Sequence, residues 1–319
     1  MSETKKPSIV FMGTPDIASL VLETLLAENY PICAVVTQPD YLSKNGKEVV
    51  LSPVKKIATE KNIPLLQPIK LDLDFEKKIE EFKPDLIIVV AFGKIIPEKI
   101  LKIPRYKSIN VHASLLPKLR GSSPIQNALI EGLEQSGITI MLMDKGVDTG
   151  DILAQKIIPI DPHDDYLTLG GKMAVNAAHL LISTITEWTA GTLKPTPQDN
   201  SQATLCQLIE KNDGKISWDQ DAKDIYNKLR AFRVWPGIFT FWENKGNLQK
   251  ISLNEIVAQN NILEKRYHLG EVFKTDNLVG VQTNDGIIVL KKIQLAGKNE
   301  VTIEDFLNGY PNFIGSILK

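Results

Sequence analysis

The chain has 319 residues, 43 % apolar and 24 % charged, and its 37 Lys and Arg against 38 Asp and Glu leave a formal charge of −1. At roughly 150 residues per domain this length allows about two domains, each large enough for its own core. The composition excludes a disordered, collagen-like or membrane-embedded chain, and the charge excludes a uniform polycation.

The N-terminal MSETKKPSIVFMGTPD has lysines but only the short stretch Ser8 to Met12 before a Gly and a Pro. It lacks a secretory apolar region, so a cytoplasmic protein is expected. Short β-type runs then alternate with helical patterns: Ser8–Met12, Ile32–Thr37, Leu86–Ala91, Ser108–His112 and Gly137–Met143. The longest apolar run, Leu86 to Phe92, is far below the roughly 18–20 residues that span a bilayer, so no membrane contact is expected. Thr14-Pro15, Ser52-Pro53 and Ser123-Pro124 each read as a helix start, the hydroxyl capping free amides and the Pro at the first helical position. A longer helix runs from about Thr168 to Trp188, closed by Gly191. This alternation predicts an α/β fold, a Rossmann-like doubly wound and mostly parallel sheet with its ligand crevice at the carboxyl ends of the strands.

After Gly191 the polar, aperiodic TLKPTPQDNSQ reads as a linker, which divides the chain into residues 1–190, a linker 191–205, and residues 206–319. The last part has a charged helix over about Asp221 to Phe232, then short strands, including a run from Leu278 to Gln294 broken by Asn284-Asp285-Gly286. Asp-Gly between alternating apolar runs signals a hairpin, so a small OB-like β-barrel or sandwich is expected. A final helix starts at Thr302, paired with Asp305 in a capping-box variant. Cys33 and Cys206 lie far apart in apolar contexts and read as buried thiols. His112, His163, His179 and His268 show no metal-ligand spacing, so no metal is expected.

The first turn, Gly13-Thr14-Pro15-Asp16, has no GxGxxG, which argues against a nicotinamide or flavin cofactor there. The more informative stretch is INVHASLLPKLRGSSP, Ile109 to Pro124. Asn110 and His112 lie two apart near a strand end, so both side chains point to one face at the ligand edge. An amide beside an imidazole fits acyl-type chemistry, the amide stabilising an oxyanion and the imidazole moving a proton; taken alone, such a pair also reads as structural. Ser114 lacks a GxSxG elbow and is not read as a nucleophile. Downstream, MDKGVDTGD puts Asp148 in a loop between Gly146 and Gly150, where it can orient the histidine; the spacing of its acids is not that of a calcium loop.

NVHASLLP followed by RG and SP, then MDKGVDTGDI, is similar to the signature of enzymes that use 10-formyltetrahydrofolate as formyl donor. With TQPD, SPVK, RAFRVWPG, QLAGK and DFLNG added in the same order, the chain resembles the methionyl-tRNA formyltransferase family from the first strand to the C-terminal helix. The resemblance implies a formyltransferase-type catalytic domain and a C-terminal OB-type domain that binds tRNA. It implies transfer of the formyl group from 10-formyltetrahydrofolate to the α-amine of initiator methionyl-tRNA, with no metal required; a monomer is expected. Asn110, His112 and Asp148 align with the catalytic Asn, His and Asp. The folate would meet Ser114, Leu115, Leu116 and Pro117, with the pterin near Phe92, Gly93 and Ile95. The tRNA would meet Lys44, Lys47, Arg230 and Arg233. The family's arginine-rich loop is altered here, with Asn45 in place of an Arg and Glu48 in place of a Lys. Two other readings stand beside this one: a folate-dependent formyltransferase acting on an amino-sugar nucleotide, and a non-catalytic tRNA- or folate-binding protein. Finally, Lys94 to Arg120 holds seven basic residues against one acid, Glu98, which reads as steering of a polyanion to the site.

Overall fold

The computed structural model describes residues 6–42, 48–260 and 267–319. Up to residue 206 the elements are β1 (Ile9–Gly13), α1 (Asp16–Ala27), β2 (Ile32–Val36), β3 (Tyr41–Leu42), β4 (Val49–Val50), α2 (Pro53–Glu60), β5 (Leu65–Leu66), α3 (Leu73–Glu81), β6 (Leu86–Val90), α4 (Glu98–Leu101), β7 (Ser108–His112), β8 (Arg120–Gly121), α5 (Pro124–Ile130), β9 (Gln135–Leu142), β10 (Ile152–Pro159), α6 (Tyr166–Thr189) and β11 (Leu205–Cys206). Seven strands form one sheet in the order β10-β9-β7-β6-β1-β2-β5. The five strands β7, β6, β1, β2 and β5 run parallel, while β9 and β10 are antiparallel. Every residue of β1, β6 and β7 is buried, as expected for parallel strands covered on both faces. Alternate residues Val10, Met12, Ala34, Val36, Ile87 and Val89 form one face, packed with Phe75 and Ile79 of α3 and Ile100 and Leu101 of α4.

Two of the expected helix starts differ in mechanism. Ser52 caps α2 by accepting from the Lys55 N–H at 3.1 Å, with Pro53 in the first turn. Thr14 does not cap α1, because the cap position falls on Pro15 and no side chain closes it. Instead the Thr14 hydroxyl turns to the Phe92 carbonyl, 3.4 Å away, across neighbouring strand ends.

By contacts the chain groups into two compact units, Met1–Pro124, Gln135–Ile160 and Leu169–Gln207 in the first, and Ile125–Glu134, Asp161–Thr168 and Leu208–Lys319 in the second. The stretch 191–205 read from sequence as a linker is therefore tied into the first unit. Thr196 exchanges two backbone hydrogen bonds with Ile152, and Leu205–Cys206 pairs with Arg120–Gly121. Composition alone shows a polar segment; its partners lie far away in sequence.

The second unit contains α7 (Ala222–Ala231), β12 (Phe239–Asn244), β13 (Asn247–Gln259), β14 (Val272–Lys274), β15 (Val279–Gln282), β16 (Ile287–Leu295), β17 (Val301–Thr302) and α8 (Ile303–Gly309). The strands form an antiparallel sheet in the order β12-β13-β16-β15-β14, with β17 on β16. Residues 315–319 join its two edges: Lys319 and Phe241 exchange backbone hydrogen bonds, while Val272 donates to the Ser316 carbonyl and Gly315 to that of Val272. The sheet thereby curls on itself, in keeping with the OB-like expectation. Asn284-Asp285-Gly286 does join β15 to β16, and Gly286 has φ 83°, a left-handed conformation suited to glycine. Thr302 caps α8 by accepting from the Asp305 N–H, but its hydroxyl also donates to the Asp305 carboxylate, so the pair closes on itself.

Candidate active site

β7 ends on Asn110 and His112, both nearly buried at 9 % and 5 % exposure. Their side chains converge on Asp148, from the loop between β9 and β10. Asn110 Nδ2 donates to Asp148 Oδ1 at 3.3 Å, and His112 Nδ1 lies 3.5 Å from Asp148 Oδ2. The Gly121 N–H donates to the same Oδ2 at 2.9 Å. The other imidazole nitrogen, Nε2, is 2.9 Å from the Leu119 carbonyl. Each ring nitrogen thus faces an acceptor, and the Asp148 carboxylate collects donors from two separate segments.

This convergence needs unusual backbone. Asp148 has φ 53°, a left-handed value for a residue with a side chain. Gly121 has φ 115°, and a Cβ there would lie 2.3 Å from the Cys206 carbonyl oxygen, so only glycine brings its N–H to Asp148. The loop is tied internally by Asp144, whose Oδ1 accepts from the Gly146 N–H at 2.9 Å and from Thr149 Oγ1 at 2.7 Å. Among the described residues no cluster of three or more His, Cys, Asp or Glu side chains is arranged to hold a metal ion.

The SLLP segment lies next to this group in sequence but presents little side chain. Ser114 is fully buried and donates to the Lys118 carbonyl at 2.6 Å, and Leu116 is buried. Thr139 and Gln155 hold the segment: Thr139 Oγ1 donates to the Ser114 carbonyl and accepts from the Leu116 N–H, and Gln155 Nε2 donates to the Leu116 carbonyl. Leu115 and Pro117 are partly exposed. Phe92 is buried, Gly93 follows with φ 81°, and Ile95 stands 84 % exposed. The Phe92 carbonyl accepts from Gln38 Nε2 at 2.9 Å.

The residues expected to meet tRNA are not gathered here. Lys44 and Lys47, like Asn45, lie outside the described residues. Arg230 is not a surface contact, which corrects the expectation from RAFRVWPG. It is buried, with Nη1 donating to the Asp164 carbonyl at 2.8 Å and Nη2 to Asn227 Oδ1 at 2.6 Å. Its place is structural because an amphipathic α7 turns that side inward. Arg233 is half-exposed, 3.7 Å from Asp165 and donating to the Asn254 carbonyl.

Two residues that sequence reasoning does not single out, Gln198 and Asn200, join Arg120 in the surroundings of Asp148. Gln198 Nε2 donates to the carbonyls of Asp148 and Gly150 at 3.0 and 2.7 Å. Gln198 Oε1 accepts from Nε and Nη2 of the buried Arg120 at 3.1 and 2.7 Å, and Arg120 Nη2 also donates to Asn200. No periodicity or motif marks Gln198; its position in a polar stretch gives no signal by itself.

A sequence profile described as formyl transferase matches residues 6–185, and one described as formyl transferase, C-terminal domain, matches residues 208–311. The chain is 44 % identical to the methionyl-tRNA formyltransferase of Caldicellulosiruptor saccharolyticus over 98 % of its own length and 99 % of the relative's. It is 37 % identical to the methionyl-tRNA formyltransferase of Clostridium novyi, covering 98 % of this chain and 99 % of that one. Among solved structures, HypX from Aquifex aeolicus aligns with TM-score 0.66 at 18 % identity, over 97 % of this chain and 50 % of that chain. An N-formyltransferase from Helicobacter canadensis, solved with folinic acid and dTDP-3-aminofucose, aligns with TM-score 0.65 at 20 % identity, over 89 % of this chain and 98 % of that chain. These two share the fold. By its profile matches and its near full-length relatives, the chain belongs to the methionyl-tRNA formyltransferase family.

Proposed function

We propose that the protein transfers the formyl group of 10-formyltetrahydrofolate to the free α-amine of initiator methionyl-tRNA. The observation that carries this is the Asp148 carboxylate shared by Asn110 and Gly121, with His112 beside it, at the carboxyl end of β7 in a chain of this family. The catalytic residues are then Asn110, His112 and Asp148. The reacting formyl group fits a site with one amide donor and one proton carrier, which is the donor set present. One Asn110 N–H is committed to Asp148, and the second is left to donate to the formyl oxygen as negative charge develops on it. Asp148 fixes the direction of that amide. A His112 ring carrying a proton on each nitrogen satisfies both acceptors around it and can release one proton. In the overall step the amine nitrogen bonds to the formyl carbon, the bond from that carbon to N10 breaks, and one proton moves from the amine to N10.

The folate would lie over Gly93 and the exposed Ile95, with the backbone and the partly exposed Leu115 and Pro117 of the SLLP segment alongside. Ser114, Leu116 and Phe92 shape this wall from behind, since their side chains are buried. Residues 1–190 carry the chemistry and residues 206–319 the tRNA contacts, with Arg233 a contact and Arg230 its internal support. The protein acts as a monomer in the cytoplasm on this reading. The deciding experiment supplies purified protein with 10-formyltetrahydrofolate and, in parallel, initiator methionyl-tRNA or an amino-sugar nucleotide. Formyl transfer to the tRNA alone is expected; transfer to the sugar alone, or to neither, overturns the reading.

A further inference from the structure

Asp148 sits in a left-handed backbone conformation that is strained for a residue with a side chain and persists only when its surroundings fix it. Its side-chain partners, Asn110 and Gly121, set the carboxylate but not the peptide units on either side. Those are held by Gln198, whose Nε2 reaches the Asp148 and Gly150 carbonyls and so brackets the turn on both sides of Thr149. Gly150 is itself fixed, since a Cβ there would be 1.8 Å from the Leu142 carbonyl oxygen.

The orientation of the Gln198 amide is unambiguous. Backbone carbonyls only accept and a guanidinium only donates, so the NH₂ must face the loop and the oxygen must face Arg120. All four hydrogen-bonding positions of the amide are used. Arg120 is 6 % exposed, and its own backbone is pinned by the Thr204 carbonyl at 2.9 Å. The next residue, Gly121, gives its N–H to Asp148, and the preceding carbonyl, of Leu119, meets His112. One short segment, Leu119 to Gly121, therefore touches His112, Asp148 and, through Arg120, Gln198.

We propose that Gln198, oriented by Arg120, is a positioning residue for Asp148: it holds the two carbonyls bracketing residue 149 so that the carboxylate meets Asn110 and His112 in reacting geometry. The proposal rests on the reading of Asp148 as catalytic and adds two residues that act through it. Gln198→Glu keeps the shape and the acceptor for Arg120 but replaces the donor toward two carbonyls by an oxygen. Gln198→Ala removes the side chain altogether.

The test is a double-mutant cycle on the full-length protein, with 10-formyltetrahydrofolate and initiator methionyl-tRNA under single-turnover conditions that read very slow rates. A displacement of a reacting group by about 1 Å costs up to about 10²-fold. Gln198→Ala and Gln198→Glu are each expected to lower kcat by about 10- to 100-fold, with the KM for folate and the melting temperature little changed. In an Asp148→Ala background the same changes are expected to have less than about 3-fold effect, because the group they position is gone. Full activity in Gln198→Glu marks a packing role and overturns the proposal. So does an equal loss in both backgrounds, and so does a fall in melting temperature that accounts for the lost activity in both variants. Should Asp148→Ala alone retain full activity, the functional reading fails together with this one, an outcome distinct from the others.

Discussion

At the residue scale the site is a division of labour around one carboxylate. Asp148 Oδ1 takes an Asn110 N–H and Oδ2 takes the Gly121 N–H, so each oxygen has its own partner and the Asn110 amide is oriented toward the carboxylate. Removing one donor from a developing oxyanion typically costs about 10²–10³ in rate, roughly 2.7–4 kcal/mol. Asn110→Ala is therefore expected to lower kcat by that factor with the fold intact, while the folate KM changes by less than about 3-fold; a variant with normal turnover excludes the assigned role. The convergence of Asn110, His112 and Asp148 was legible because NVH and GVDTGD combine chemistry-bearing side chains with a strand end and glycines. Gln198 was not, because a glutamine in a polar stretch has the same appearance whether it faces solvent or closes a site. Only tertiary proximity, Thr196 on Ile152 and Leu205 on Arg120, turns that stretch toward Asp148. Arg230 failed in the opposite sense: the resemblance carried by RAFRVWPG put it on tRNA, and burial with two hydrogen-bonded partners is invisible until α7 is placed.

At the element scale, helix starts and strand junctions carry both stability and placement. Ser52 caps α2 and also shares a 2.8 Å hydrogen bond with the fully buried Thr37 hydroxyl at the end of β2. Ser52→Ala removes the cap and leaves that hydroxyl without its close partner, so a loss of about 1–2 kcal/mol is expected. A lower denaturant midpoint at unchanged m measures it. Beside it, Lys55 Nζ reaches Asp40 and Gln67, and Gln67 Nε2 reaches Asp40 and the Gln38 carbonyl, which clamps the first turn of α2 and the residue after β5 to the loop that follows β2. The Lys55 hydrogen bond, with help from Gln67, holds the Asp40 carboxyl below its ordinary value of 3.8. A depressed folded pKa means this contribution is present above the unfolded pKa and is lost as pH falls through the folded value. The clamp should thus survive to below pH 3.8. An NMR titration of Asp40 is expected to have its midpoint below the ordinary value in the natural protein and near it in Lys55→Met; no difference between the two would remove Lys55 as the cause. Parallel strands were legible because unbroken apolar runs declare burial on both faces. The edge strand β10 was not, since Gln155 and Lys156 interrupt its run, and the two-residue strands β3, β4, β5, β8, β11 and β17 are too short to show any period.

For the whole molecule, the formal charge of −1 conceals how its cations are deployed. Of the seven basic residues between Lys94 and Arg120, four are occupied. Arg120 is buried on Gln198 and Asn200, Lys102 pairs with Glu98 at 2.6 Å, Arg105 lies 3.2 Å from Asp85, and Lys94 donates to the Pro68 and Ile69 carbonyls. Lys99, Lys107 and Lys118 remain exposed, and Lys118 directly precedes the Leu119 carbonyl that meets His112. Counting sequence charge therefore overstates the steering field about twofold here. In the second unit, Lys250 Nζ sits 3.5 Å from the Phe239 ring centroid and Lys215 Nζ 5.5 Å from that of Phe241. Burial, then the neighbouring Lys211, holds the Lys250 ammonium below the ordinary lysine value. Each phosphate neutralised contributes about −0.7 to −0.9 to the slope of log affinity against log salt, so the three exposed cations of this stretch add on the order of −2 to −3 to whatever slope the second unit's contacts set. In a plot of log kcat/KM for initiator methionyl-tRNA against log salt, replacing Lys99, Lys107 and Lys118 together by Ala is expected to reduce the slope's magnitude by about 2 to 3, not by the roughly 5 to 6 that seven free cations imply. Lys118→Ala should reduce its magnitude by about one phosphate's worth, whereas Lys102→Ala should leave it nearly unchanged because Lys102 is already paired. A flat response, or equal effects of the two substitutions, would show that tRNA approaches by another face.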